Sequence, residues 1–342
     1  MKTPPKLKKG DKVAIVSPAK KIAAERIENA VNIFESWGLK TMTGRNVLAR
    51  DNYFAGSDEE RIADFQEMLD DSEVKAIVCA RGGYGTIRIV DKLDFTRFSK
   101  NPKWIVGFSD ITVLHSHIAR HFGIETIHAP MPLDYSDERD TSVEMLRRIL
   151  FGEKVDYEFD TDFLSRKGQC RGEMVGGNLS VIYSLNGSVS EIDTDKKILF
   201  IEEVGENLYH FDRMIQNLKR AGKFENLNGL VVGHLSGMKD NDDSTAFNKS
   251  ARQIIREAVD GYDFPVCYGF PAGHEKNNKA FIHGREVSLI VGDEKSRLLP
   301  LPPEGPKKQK GIVKNLAFIT LVVVGFFLVI YLIYSLAIKL LT

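Results

Sequence analysis

The sequence predicts an α/β protein with a doubly wound parallel sheet in its N-terminal domain, a smaller α/β domain after it, and a C-terminal transmembrane helix. Three observations predict this class. Short apolar segments alternate with amphipathic segments through the first third of the chain, a second series of strands and helices follows residue 170, and residues 316–338 carry no charge. Strands and helices that alternate at this spacing form a parallel sheet with helices on both faces.

The predicted strands of the first domain are short runs of buried apolar residues, at 13–17, 74–80 and 104–108. The predicted helices have apolar residues at helical spacing, and they cover 24–37, 57–69, 87–93 and 111–122. Ser57 and Glu60 have the spacing of a capping box at the start of one of them. Ligands of such sheets bind beyond the carboxyl ends of the strands, where the glycine turn at 81–85 and Ser109 lie.

The predicted second domain contains fewer helices and more strands than the predicted first domain. A helix at 143–151 and a charged stretch precede it. Its predicted strands and helices alternate at first and then give way to strands alone: strand 198–201, helix 208–219, strand 229–234, helix 247–259, and strands 266–270, 280–283 and 287–291. The predicted organisation is a first domain at 1–135, an interdomain linker at 136–169, a second domain at 170–302, a Pro- and Lys-rich linker at 303–315 and the transmembrane helix at 316–338.

Composition excludes several classes of protein. Lys and Arg number 47 and so do Asp and Glu, and this balance is unlike the basic excess of nucleic-acid-binding domains. The three cysteines, Cys79, Cys170 and Cys267, are few and far apart, which indicates a reducing compartment and neither a disulfide framework nor a zinc cluster. The basic N-terminus has only a short apolar run, so no secretory signal peptide is expected.

The apolar run at 316–338 is about 35 Å long as a helix, enough to cross a bilayer. A buried core helix is the alternative, but core helices are rarely apolar on every side. Four lysines precede the run and Lys339 alone follows it within the sequence. The positive-inside tendency then places the large N-terminal part in the cytoplasm, with a single C-terminal anchor in the cytoplasmic membrane.

Ser109 lies at the junction between the predicted strand 104–108 and the helix that follows. This is the geometry of a nucleophile elbow, and the helix start offers the backbone N–H of Asp110 to an oxyanion. Ser109 as a plain helix N-cap is the favoured alternative from this motif alone. The stretch 107–111 also lacks the second glycine of the α/β-hydrolase elbow.

Gly82 and Gly83 follow the neighbouring strand 74–80, in a loop that also contains Gly85. Such a loop lets backbone N–H groups approach a ligand, as a second oxyanion donor or as a phosphate cradle. A tight turn that needs positive φ angles explains the glycines equally well. The dinucleotide-binding glycine spacing is absent.

A serine nucleophile needs a base, and the base needs an orienting carboxylate. His274 is the candidate base, because it lies in a polar loop after the strand 266–270, and loop positions at strand ends often carry function. Glu202 and Glu203 directly follow a buried apolar strand, which favours one of them as the carboxylate. A structural histidine and solvated acids are the alternatives. His115 and His117 are two residues apart on a helix and point to different faces, so a metal pair is not expected.

Six stretches occur in the order found in one enzyme family: KVAIVSPA at 12–19, ARGGYG at 80–85, GFSDIT at 107–112, GGNLSVI at 176–182, FIEEVGE at 200–206 and PAGHEKNN at 271–278. Each stretch is weak evidence by itself, but the ordered set is specific. Over nearly all of residues 10–302 the chain resembles the L,D-carboxypeptidases of serine peptidase family S66, the murein tetrapeptide carboxypeptidases.

The resemblance implies an amidotransferase-like N-terminal domain, a swivelling C-terminal domain, and a catalytic triad of Ser109, Glu202 and His274. Glu202 is preferred to Glu203 because the family places its acid directly after the strand, and successive strand residues point in opposite directions. The implied oxyanion donors are the N–H groups of Asp110 and of Gly82 or Gly83. The implied substrate is a murein tetrapeptide that loses its terminal D-alanine, and neither metal nor cofactor is required.

Because the serine and the histidine lie in different predicted domains, domain closure or a homodimer contact is expected to complete the site. One alternative within the family is an immunity peptidase that cleaves peptide–nucleotide antibiotics of the microcin C type. A second alternative is a catalytically inactive, membrane-tethered module that binds muropeptides. The third alternative is an amidotransferase or an α/β-hydrolase, of which the former would need cysteine at position 109. The membrane helix is unlike the usual soluble family member.

Overall fold

Two β-sheets and the helices packed on them form the part of the protein that the structure describes. The computed structural model describes residues 1–135, 140–240 and 246–302. The strands are β1 (Lys12–Val16), β2 (Lys40–Thr43), β3 (Val74–Cys79), β4 (Trp104–Gly107), β5 (Thr126–His128), β6 (Tyr157–Asp160), β7 (Gly168–Asn178), β8 (Ile198–Val204), β9 (Gly229–Ser236), β10 (Val266–Tyr268), β11 (Phe281–His283), β12 (Glu286–Val291) and β13 (Lys295–Pro300). The helices are α1 (Ala24–Ser36), α2 (Asp58–Asp70), α3 (Thr96–Lys100), α4 (Thr112–Phe122), α5 (Thr141–Leu150), α6 (Leu179–Leu185), α7 (Leu208–Arg220) and α8 (Ala251–Ala258).

The first sheet has the order β11-β5-β4-β3-β1-β2. The strands from β5 to β2 pair in parallel, and β11 pairs with β5 antiparallel. The predicted parallel sheet is therefore confirmed. The strand β11 comes from the predicted second domain, so a segment from beyond residue 170 completes the sheet of the first.

Helices cover both faces of this sheet. Val13 and Ile15 pack on the face that holds α1, whereas Ala14 and Val16 belong to the core with α2 and α4. Successive residues of a strand point to opposite faces, so an uninterrupted apolar run such as β1 buries both sets of side chains. The predicted doubly wound arrangement follows from this pattern and is present.

The second sheet has seven strands in the order β10-β9-β8-β7-β12-β13-β6. The pairs from β10 to β7 are parallel, and those from β7 to β6 are antiparallel. The long strand β7 joins the two halves. The carboxyl end of β7 lies against the start of α4, since the backbone N–H of Asn178 donates to Thr112 Oγ1 at 3.1 Å. This contact brings the two sheets together where functional groups are expected.

One predicted helix is wrong. Residues 87–93 are not an α-helix but two short 3₁₀ turns, Thr86–Arg88 and Val90–Lys92. The backbone N–H of Thr86 donates to the Asp110 carboxylate at 2.9 Å, and Gly85 has a φ of 147°. A contact distant in sequence therefore fixes the start of this segment and displaces the local helical preference.

The predicted membrane helix at 316–338 lies outside the described residues, as do the linker at 303–315 and positions 136–139. Within the described ranges, no helix is both long enough and apolar enough to cross a bilayer.

Candidate active site

Ser109 begins a tight turn between β4 and α4. Its φ is 60°, in the left-handed region that non-glycine residues rarely adopt. The strand before it and the helix after it are both buried, so the surrounding packing holds the serine in this conformation. A positive φ at a serine between a strand and a helix is the geometry that a nucleophile elbow has.

Ser109, His274 and Glu202 form one hydrogen-bonded chain. His274 Nε2 lies 3.0 Å from Ser109 Oγ, and His274 Nδ1 lies 2.7 Å from Glu202 Oε2. A carboxylate accepts only, so Nδ1 carries the proton and Nε2 is left as the acceptor for the serine hydroxyl. The three groups meet within one chain and in the conformation observed, with neither further domain closure nor a second subunit.

The two adjacent glutamates of β8 point in opposite directions. Glu202 is fully buried and points towards His274. Glu203 points towards the start of α6, where its carboxylate accepts from Asn178 Nδ2 at 3.1 Å and from the backbone N–H of Ser180 at 2.7 Å. Burial raises the pKa of Glu203. Glu203 thus ties β8 to β7 and α6, while Glu202 serves the histidine.

The charges around His274 favour the protonated form of its ring. Burial opposes the charged form of the ring, but the hydrogen bond and the charge of Glu202 outweigh burial and raise the pKa of His274 above its ordinary value. The charges of Glu203 and Asp134 act in the same direction. An imidazole in this setting can take up a proton and hold it as an imidazolium.

The His274 loop depends on a glycine and an asparagine. Gly273 has a φ of 129°, and a Cβ at this position would lie 3.0 Å from Glu202 Oε2. The side chain of Asn278 accepts from the backbone N–H of Gly273 at 2.9 Å and contacts His128 Nε2 at 3.4 Å. Sequence reasoning misses Asn278, although its place in a polar loop four residues after His274 is an available signal.

The glycine loop after β3 packs directly on the serine turn. A Cβ at Gly82 would lie 3.1 Å from Ser109 Cβ and 3.3 Å from the backbone nitrogen of Asp110, and Gly83 has a φ of 107°. The buried Asp110 carboxylate accepts from Thr86 Oγ1 at 2.6 Å, and burial raises its pKa. Asp110 therefore fastens the glycine loop to the serine turn, and Gly82 lies against both Ser109 and the backbone nitrogen of Asp110. Gly83 packs instead against Tyr53 and Lys20.

Three other histidines lie behind the site and are fully buried: His115, His128 and His283. Burial lowers the pKa of His115 to about 4 and lowers the pKa values of His128 and His283 well below their ordinary value. Within the described residues no cluster of three or more His, Cys, Asp or Glu side chains could hold a metal ion.

Comparison with known proteins identifies the family. Residues 13–129 match the LD-carboxypeptidase N-terminal domain, and residues 171–289 match the LD-carboxypeptidase C-terminal domain, both of peptidase family S66. A probable murein peptide carboxypeptidase from Bacillus subtilis is 34% identical over 85% of this chain and 92% of its own length. The chain belongs to the LD-carboxypeptidase family. As a member of peptidase family S66 it is a serine-type carboxypeptidase.

Further similarities agree with this assignment of the carboxypeptidase. The murein tetrapeptide carboxypeptidase of Pseudomonas aeruginosa is 30% identical over 81% of this chain and 92% of its own length. The muramoyltetrapeptide carboxypeptidase of Oxalobacter formigenes has a crystal structure that superposes with a TM-score of 0.75 at 25% identity, covering 85% of this chain and 99% of that one. The microcin C7 self-immunity protein superposes with a TM-score of 0.76 at 21% identity, covering 86% of this chain and 98% of that one. It shares the fold.

Proposed function

We propose that this carboxypeptidase releases the terminal D-alanine from murein tetrapeptides, free or attached to sugar, during peptidoglycan recycling. The observation that carries the proposal is the relay from Ser109 through His274 to Glu202, with distances of 3.0 Å and 2.7 Å. The names of the Bacillus and Pseudomonas relatives supply the substrate class. The bond that is cleaved joins the L-centre of a diamino acid to D-alanine.

In the acylation step, Ser109 Oγ attacks the carbonyl carbon of this amide while its proton passes to His274 Nε2. Glu202 keeps the Nδ1 proton in place and stabilises the imidazolium that forms. The tetrahedral intermediate then collapses, the C–N bond breaks, and His274 returns the proton to the departing amine. D-Alanine leaves, and the rest of the peptide is held as an ester of Ser109.

Backbone N–H groups of Asp110 and of Gly82 or Gly83 stabilise the oxyanion in this proposal, because the glycine loop packs on the serine turn. Removal of one such donor typically costs about 3 kcal/mol. Water then attacks the ester with His274 as general base, and the tripeptide acid is released.

The sequence also supports an anchor at 316–338 in the cytoplasmic membrane, with the catalytic part in the cytoplasm.

The direct test uses the full-length chain and a synthetic tetrapeptide whose third residue is diaminopimelate and whose last residue is D-alanine. We expect free D-alanine and the tripeptide in equal amounts, measured by chromatography. The same tetrapeptide with a terminal L-alanine is the matched control, and it should be cleaved far more slowly. Absence of D-alanine release at any pH from 6 to 9 would contradict the proposed function.

Cleavage of a peptide–nucleotide amide of the microcin C type is the second candidate, since the self-immunity protein has the same fold. The murein reaction is preferred because the identity to the probable murein peptide carboxypeptidase is 34%, against 21% to the self-immunity protein. Parallel assays with a processed microcin-type aminoacyl sulfamoyl nucleoside and with the tetrapeptide separate the two. A higher kcat/KM for the nucleoside would reverse the preference.

The pH dependence of kcat/KM should report the ionisation of His274. The general base must be neutral, and the pKa of His274 is raised above its ordinary value of about 6.5. Activity should therefore fall as the pH decreases through that raised pKa. Glu202→Gln removes the charge that raises the pKa, so the acidic limb should move to lower pH while the maximal rate falls by about 10²- to 10⁴-fold.

Glu275→Gln is the matched control for this experiment. Glu275 lies in the same loop, where its carboxylate accepts from Ser236 Oγ at 2.8 Å and lies 3.8 Å from His234 Nε2. Its substitution therefore removes a carboxylate whose contacts lie outside the relay. The acidic limb of this variant should stay close to that of the wild type. An acidic limb that does not move in Glu202→Gln would show that a group other than His274 controls activity.

A further inference from the structure

The loops that follow three neighbouring parallel strands meet at one edge of the first sheet. The strands β4, β3 and β1 are adjacent in the sheet, and they lead to Ser109, to Gly82 and Gly83, and to Lys20 respectively. Neighbouring strands are about 5 Å apart, so the segment at Lys20 lies about 10 Å from the segment at Ser109. A lysine side chain is long enough to cover much of that separation.

The contacts of Lys20 direct its side chain along the glycine loop. The backbone N–H of Lys20 donates to the carbonyl oxygen of Gly82 at 3.4 Å. A Cβ at Gly83 would lie 3.2 Å from Lys20 Cβ and 3.3 Å from Lys20 Cδ. The aliphatic part of Lys20 therefore packs on Gly83, one residue away from the glycine that contacts Ser109.

The ammonium group of Lys20 is held over an aromatic ring. Its Nζ lies 4.6 Å from the ring centroid of Tyr53, and Tyr53 is 41% exposed. In the part of the chain that the structure describes, no carboxylate forms an ion pair with Lys20. A cation–π contact orients an ammonium group and leaves its charge available to an anion.

A carboxypeptidase must recognise the free carboxylate next to the bond that it cleaves. We propose that Lys20, oriented by Tyr53, binds the terminal carboxylate of the departing D-amino acid through a charge-assisted hydrogen bond. This inference rests on the proposed function and identifies the group that selects for a C-terminal residue. Position 83 must be small for this arrangement, since a Cβ there would lie 3.0 Å from the hydroxyl oxygen of Tyr53 and 3.2 Å from Lys20 Cβ.

Arg81 is the other cation of this loop, and its role differs. Its Nη1 donates to the carbonyl oxygen of Lys21 at 3.1 Å, so Arg81 holds the Lys20 segment against the glycine loop. Lys21 itself points elsewhere, since its Nζ donates to the carbonyl oxygen of Asn52 at 2.5 Å. Of these three neighbouring cations, Lys20 is the one whose charged group is directed by an aromatic ring and, among the described residues, by no hydrogen bond.

The test compares Lys20→Met with Lys21→Met, which removes the same charge one residue further along the chain. For the tetrapeptide, kcat/KM of Lys20→Met should fall by about 10- to 100-fold, the size expected for a hydrogen bond to a charged group. Most of the loss should lie in KM. Lys21→Met should keep the wild-type kcat/KM, and Lys20→Arg should recover a large part of it. Thermal unfolding of each variant verifies that it is folded.

A second substrate shows whether Lys20 acts through the carboxylate. A tetrapeptide that ends in D-alaninamide lacks this charge, so wild type should lose activity on it and Lys20→Met should lose almost nothing more. An equal effect of Lys20→Met on both substrates would overturn the inference, and so would wild-type kinetics of Lys20→Met on the tetrapeptide. If wild type releases no D-alanine at all, the proposed function fails, and that outcome is distinct from these.

Discussion

Ser109→Ala should reduce the rate of D-alanine release by at least about 10³-fold, because the variant has no nucleophile to form the acyl-enzyme. The substitution removes one oxygen atom and leaves the backbone turn and its packing as they are. Folding should therefore be unchanged, as measured by circular dichroism and thermal unfolding. The measurement is single-turnover release of D-alanine from the tetrapeptide, with wild type and variant at equal concentration.

The helix that follows Ser109 offers a matched control. Ser116 lies on the same helix α4 and is 1% exposed, and its hydroxyl has no hydrogen-bond partner in the described part of the structure. Ser116→Ala removes the same atom from a serine outside the relay, so it should keep wild-type activity. Wild-type turnover by Ser109→Ala would exclude Ser109 as the nucleophile.

A fluorophosphonate probe distinguishes catalysis from binding alone. Such a probe reacts with a serine only when a base activates it. Wild type and Ser116→Ala should be labelled, and Ser109→Ala should not. An unlabelled wild type would favour the alternative of a membrane-tethered module that binds muropeptides without cleaving them.

Strands β1, β3 and β4 of the first sheet could be predicted because each consists mainly of apolar residues. Strand β2 is polar and partly exposed, and its sequence does not predict it. Strands β1, β3 and β4 are buried on both faces, and such runs stand out from the surrounding polar residues. The sequence does not predict strand β7, since it is rich in glycine and half exposed over its antiparallel part. Its stability comes from pairing on two sides, with β8 and β12, and pairing between distant segments leaves no local pattern.

The candidate site was more accessible to sequence reasoning than the groups around it. Ser109, Glu202 and His274 each follow a predicted strand, and topology brings strand ends together. The alternation of strand residues indicates that only one of Glu202 and Glu203 faces the site, and the family resemblance favours Glu202. The partners of Asn278 and Asp110 could not be predicted, because His128 is 150 residues away from Asn278 and Thr86 is 24 residues away from Asp110.

The buried histidines make contacts that require specific protonation, and one of them, His283, links the two sheets. His283 Nε2 accepts from the backbone N–H of Gly176 at 3.1 Å, so this nitrogen must be unprotonated. His115 Nε2 lies 2.9 Å from the carbonyl oxygen of Gly107, and the rings of His115 and His283 stack with centroids 5.3 Å apart. Protonation of both rings would place two charges in a buried stack and would break the bond to Gly176.

The free energy of unfolding should therefore fall steeply as the pH decreases below about 6.5, the ordinary pKa of histidine in an unfolded chain. Folding lowers the pKa of His115 to about 4, and it lowers the pKa values of His128 and His283 as well. Below about pH 6.5 the unfolded chain therefore binds more protons than the folded one, so the free energy of unfolding decreases with falling pH. Three such groups give a limiting slope of about 4 kcal/mol per pH unit.

Urea unfolding at pH 7.0, 6.0 and 5.0 measures this slope. His274 affects the free energy of unfolding in a different pH range. Folding raises its pKa, so its contribution to stability is lost as the pH rises above about 6.5. His115→Gln combined with His283→Gln should flatten the slope, since an amide can replace a neutral ring as donor or acceptor but does not titrate. His121→Gln, on the exposed end of α4, is the control and should keep the wild-type slope. A double variant that loses stability with acid as steeply as wild type would show that the buried histidines do not govern acid unfolding.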